Sequence, residues 1–140
     1  MNIDKARQAL AAIRKYPDNH GQGAWVDARQ GAAGSFACAK DNGEHPPCGT
    51  TLCMAGWVTF QQAPAGTKFT WSSGFTLPNG DYTSMARFAV QELDLTEDQC
   101  SALFYGAGNA DELEAVIDYI EGHPDAKVGE LYREALHRAY

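Results

Sequence analysis

A chain of 140 residues, 44% hydrophobic and 21% charged, is too apolar to be disordered and long enough for one domain, 1–140, with a self-sufficient core. Its net charge of -7 is uneven, with seven bases against five acids up to residue 80 and four against thirteen beyond it, so nucleic-acid binding is not expected of the C-terminal half. No run approaches the ~20 apolar residues of a membrane span, and charges break up the N-terminal apolar stretch, which points to a cytoplasmic protein whose four cysteines are reduced.

The first element reads as a helix, because Ile3, Ala6, Leu10, Ile13 and Tyr16 recur at helical spacing and Pro17 stops the run. Asp18 to Pro47 follows as a Gly-rich, polar stretch with Trp25 and Phe36 as its only large apolar anchors. A segment of that length reads as a functional loop or a partly mobile one. The apolar run after Cys48 predicts a buried helix capped by Thr50 or Thr51 and ending before Pro64. Ala55 and Gly56 in its middle leave room for another backbone, and the glycine costs ~1 kcal/mol against alanine.

Thr67 to Leu77 alternates through Phe69, Trp71, Phe75 and Leu77 around Ser72-Ser73-Gly74, the pattern of a hairpin, and Pro78-Asn79-Gly80-Asp81 turns the chain back. Tyr82, Met85, Ala86, Ala89 and Leu93 make the stripe of a further helix. Thr96 and Gln99 have capping-box spacing, flanked by Leu95 and Cys100 as a hydrophobic staple. Asn109 to Glu112 is a second cap; it opens a helix with the stripe Leu113, Val116, Ile117 and Ile120, closed by Gly122 and Pro124. Val128, Leu131, Tyr132, Ala135 and Leu136 mark the last helix. The expected fold is mainly α: about five helices around a single core, with a small β-hairpin near residues 67–77.

Few residues suggest chemistry. Cys38, His45, Cys48 and Cys53 could form a Cys₃His zinc set, which would order the long loop, but the paired Cys-x-x-Cys knuckle of recognisable zinc motifs is missing. Read as structural residues instead, Cys53 and Cys100 are small core side chains and Cys38 a loop thiol. Cys48 and Cys53 flank the expected helix start, where the positive end of the dipole favours a thiolate. A cysteine hydrolase using Cys48 would still need a downstream histidine; His123 lies in a Gly-His-Pro turn and His137 on the last helix. His20 reads as a turn residue, and Trp25, Trp57 and Trp71 as core. No phosphate loop, His-Glu-x-x-His or Gly-x-Ser-x-Gly pattern is present. No catalytic residue and no cofactor are expected.

The acids of the last sixty residues fall opposite the apolar stripes: Glu112, Glu114, Asp118 and Glu121 on one helix, Glu130 and Glu134 on the next. Repeats such as Glu114 with Asp118, four apart, repel each other, and a sequence selected for stability alone would mix lysines in. The face reads either as a solvated surface or as a docking site for a basic partner.

The stretch Cys48-Gly49-Thr50-Thr51-Leu52-Cys53-Met54-Ala55-Gly56-Trp57 resembles a group of small actinobacterial proteins from phages, plasmids and chromosomes. They share a Cys-Gly-Thr-x-x-Cys-x-Ala-Gly-Trp core, an upstream Trp matched by Trp25, and a downstream Leu- and Gln-containing element close to Leu93 to Phe104 here. The resemblance carries no site role with it. It implies a phage or mobile-element origin and an accessory protein acting on a host component. The expected function is therefore non-enzymatic: binding a host protein through a surface that includes the acidic helices. A structural zinc-binding module ranks second and a cysteine hydrolase third.

Overall fold

Helix α1 spans Ile3–Lys15. The Asn2 side chain caps it by accepting from the Lys5 amide at 3.1 Å; Asp4 sits in the first turn and Arg14 and Lys15 in the last, each matched to the helix dipole. Its buried face of Ala6, Ala9, Leu10 and Ile13 lies beside α3 (Met54–Gln62) and α6 (Ala110–Gly122). Each large aliphatic side chain buried there contributes ~1.5–3 kcal/mol. The computed structural model describes residues 1–22, 26–28, 35–48, 50–70 and 74–140, with only the backbone for 26–28. Trp25 and Trp71 lie outside the described residues.

The described part of Asp18 to Pro47 is less irregular than its composition suggests. A 3-10 turn at Pro17–Asn19, strands β1 (Val26–Ala28) and β2 (Phe36–Ala37), and a short helix α2 (Ala39–Asn42) occupy it. The expectation that Thr50 or Thr51 starts a helix is corrected. Thr50–Leu52 is strand β3, antiparallel to β1, with Thr51 opposite Asp27, and α3 begins only at Met54 behind Cys53. β-branched threonines suit a strand once a partner is present, and that partner lies over twenty residues upstream. Trp57 is fully buried and donates from its ring to the Asn19 carbonyl at 3.0 Å. Asn19 in turn donates to the Thr50 carbonyl at 2.7 Å. The turn before β1 is thereby fastened to the start of α3.

The hairpin is there, as β4 (Lys68–Phe69) and β5 (Gly74–Thr76), but it is the centre of a four-stranded antiparallel sheet of order β2-β4-β5-β6. Strand β6, Tyr82–Ser84, takes residues expected in the next helix; α4 starts at Met85 and runs to Leu93, capped by the Ser84 hydroxyl. The sheet's inner face is aromatic. Phe36 stacks on Phe69 at 5.2 Å, Phe69 on Phe75 at 5.4 Å, and Phe75 meets Phe88 of α4 edge-on at 5.3 Å. Such pairs add ~0.5–1.5 kcal/mol beyond their burial.

The Thr96–Gln99 capping box forms with both of its hydrogen bonds and opens α5 (Glu97–Cys100). The chain continues as a π-helical stretch, Ser101–Gly106, and after α6 the final helix is α7 (Val128–Glu130) running into a second π-helical stretch, Leu131–Ala135. The first of these stretches ends at Gly106, so its last carbonyls have no partner further along the helix, and side chains take two of them up: Gln22 donates to the Leu103 carbonyl at 3.2 Å and Arg138 to that of Gly106. The count of about five helices becomes seven α-helical segments among the described residues, and the mainly α character holds. Among the described residues no helix is long and apolar enough to cross a membrane.

Candidate functional site

The acidic residues of α6 meet partners that the helix itself does not supply. Arg14 of α1 reaches Asp111 at 3.1 Å and Glu114 at 2.8 Å; Arg7 reaches Asp118 at 2.9 Å and Glu121 at 3.1 Å. Arg7 therefore sits near the C-terminal end of α6 and Arg14 near its N-terminal end, so the two helices run antiparallel. The two arginines are seven residues apart, and so are Asp111 with Asp118 and Glu114 with Glu121. Seven residues rise ~10.5 Å on either helix, so the charges match in register. Each guanidinium is held in its charged form chiefly by hydrogen bonds, Arg7 to Asp118 and Arg14 to Glu114.

The repulsion expected within α6 is thus relieved by α1, yet not cancelled. Four carboxylates against two guanidinium groups leave a surplus of two negative charges on this edge. All are open to water, Asp111 most of all at 90% side-chain exposure. The remaining acids lie elsewhere. Glu112 accepts from Arg138 and from the Gly108 amide. Glu130 accepts from the Tyr119 hydroxyl at 2.6 Å, which pushes that phenol up to about 12. Glu134 is exposed on the last helix.

The four candidate metal ligands do not converge, and among the described residues no three His, Cys, Asp or Glu side chains are placed to share an ion. Cys38 is buried, its thiol 3.4 Å from the Pro64 carbonyl; the His45 ring sits 2.7 Å from the Pro46 carbonyl; Cys48 is exposed. The helix start expected beside Cys48 is at Cys53 instead. There, burial pushes the thiol up to about 11, outweighing the amides of Gly56 and Ala55 that favour the thiolate. Cys100 is likewise raised, mainly by burial. His20 is half-buried and bridges Gln22 at 2.9 Å; desolvation lowers its basicity. The same Gln22 oxygen accepts from the Met54 amide at 3.1 Å, so His20 belongs to the fastening of α3. His123 stacks on Tyr119 at 4.1 Å, and His137 is exposed with a left-handed backbone at φ 55°.

A feature that the sequence did not announce is a cleft of about 480 Å³ between α1, α2 and the end of α3. Ala11, Ala12 and Ala39 line it, with Gln8 and Gln61 among its polar residues. Lys15, Tyr16 and Glu44 also line it; Glu44 Oε2 accepts from Lys15 Nζ at 2.8 Å and from the Tyr16 hydroxyl at 2.5 Å. Those contacts hold the Glu44 carboxyl below its usual range and raise Lys15, whose largest single cause is Glu44. The one available signal was a basic helix end facing an acid some thirty residues on, too weak to single out from sequence.

No protein-family model, curated protein or solved structure matches the chain.

Proposed function

We propose that this protein acts without catalysis of its own, as a cytoplasmic accessory protein that binds a basic surface of another protein along the α1–α6 edge. The observation that carries this reading is the unbalanced charge register, in which two arginines serve four exposed carboxylates. Exposed pairs of this kind add little to folding, so a partner's lysines or arginines can join the surplus carboxylates without undoing the helix packing. A negative strip that meets a positive one speeds encounter more than it deepens affinity. The resemblance around Cys48 to Trp57 supports a mobile-element origin and a host protein as the partner.

The structure suggests a cleaner perturbation than wholesale charge reversal. Asp111→Asn with Glu121→Gln removes the surplus but leaves Glu114 with Arg14 and Asp118 with Arg7 as one-to-one pairs. Against a partner captured from host lysate, the double variant should associate more slowly and with a weaker dependence on salt. An unchanged association rate and salt dependence, with the fold intact by circular dichroism, rejects the reading.

A further inference from the structure

The cleft beside α1 supports a second activity, independent of the acidic edge. Lys15 Nζ and the Tyr16 hydroxyl converge on one oxygen of Glu44, Oε2. Two donors aimed at one carboxylate oxygen make a carboxylate receptor, and here the chain fills it with its own side chain. Glu44 reaches it from an exposed turn. Gly43 before it has φ +99°, with nothing within 4 Å of where a Cβ would stand, and the Glu44 side chain is 70% exposed. An ion pair so open to water contributes little to stability, so exchanging this carboxylate for another at the same donors leaves the fold intact.

The surroundings suit such an exchange. Ala11, Ala12 and Ala39 offer an apolar lining within a volume typical of small-molecule sites. Lys40 stands on the wall, its amine held among the described residues by one long contact, 3.4 Å to the Gln62 carbonyl. With Glu44 swung outward, Lys15 and Lys40 make this rim positive on a chain whose net charge is -7, which selects an anion. We propose that the cleft binds a small organic monocarboxylate whose carboxylate replaces that of Glu44 at Lys15 and Tyr16 while its apolar body lies against Ala11, Ala12 and Ala39.

The test uses hexanoate and phenylacetate as probes and hexylamine as the cationic counterpart, titrated into the full chain and followed by NMR of the alanine methyl and tyrosine ring signals. Saturable shifts at Ala11, Ala12, Ala39 and Tyr16 with the two carboxylates, and none with hexylamine, are expected. Glu44→Gln, which removes the competing charge, should tighten binding several-fold, and Lys15→Met should weaken it several-fold. Both sites are exposed, and retained helical circular dichroism checks that the variants fold. Absence of saturation in every form, equal binding of hexylamine, or unchanged affinity in Glu44→Gln would overturn the proposal.

Discussion

Truncating Ile117 to Ala tests the packing of the helix that carries the acidic edge. Ile117 is fully buried and stands with Leu113, Val116 and Ile120 on the inward face of α6. The substitution removes three carbon atoms, and at ~0.8 kcal/mol per buried methylene the lost transfer energy is ~2.4 kcal/mol. The packed surroundings collapse only partly; if about 50 Å³ stays open, ~24 cal/mol per Å³ adds ~1.2 kcal/mol. The sum, ~3–4 kcal/mol, corresponds to a drop in melting temperature of about 10 °C for a domain of this size. Urea titration and thermal melts by far-ultraviolet circular dichroism measure it, with the exposed Glu134→Ala as a control expected to stay within ~0.5 kcal/mol. A loss at Ile117 no larger than that of the control would mean that this stripe does not pack inward, and the α1–α6 register would fall with it.

Three further outcomes follow from the same structure. Under native conditions near neutral pH, a pulse of iodoacetamide read by mass spectrometry should label Cys48 first and leave Cys53 unmodified until the chain unfolds, because Cys53 is buried with its thiol raised to about 11; early labelling of Cys53 would contradict this. His20 has a folded-state basicity below its ordinary value of 6.5, so the unfolded chain binds the proton more readily. Its contribution to stability is present above pH 6.5 and is lost as pH falls below that value, and His20→Gln should flatten that part of a stability-against-pH curve. Since Cys38, His45, Cys48 and Cys53 do not converge, melts with and without a strong chelator should coincide; a large drop under chelation, with about one zinc per chain beforehand, would reinstate the zinc reading.

What could be read from the sequence was whatever local chemistry decides. The stripes of α1 and α6, the Thr96–Gln99 box, the Asn109 cap and the hairpin at Phe69 and Phe75 each depend on residues within a few positions of one another. The errors lie where a distant partner decides. Thr50–Leu52 is extended because β1 pairs with it, and Tyr82–Ser84 because β5 does; neither partner is visible in a local periodicity. The relief of repulsion within α6 was hidden for the same reason. The arginines that serve Asp111, Glu114, Asp118 and Glu121 are about a hundred positions away, and repulsion judged along α6 alone omits them. The sign that could have exposed the pairing is the shared seven-residue spacing of Arg7 with Arg14 and of the two acid pairs. The cleft had no comparable sign, since alanines on two helices acquire meaning only once the helices are set side by side.

The central claim is that the surplus of negative charge between α1 and α6 meets a basic protein partner. The most direct measurement places a photo-cross-linking side chain at Asp111, the most exposed of the four acids, and a second at Asn79 in the exposed turn before β6. After irradiation in host lysate, adducts are identified by mass spectrometry. The account predicts a discrete adduct with a basic protein at position 111, absent at 79, reduced by Glu121→Gln and lost in high salt. The same adducts from both positions, or an adduct at 111 indifferent to salt and to Glu121→Gln, would contradict it.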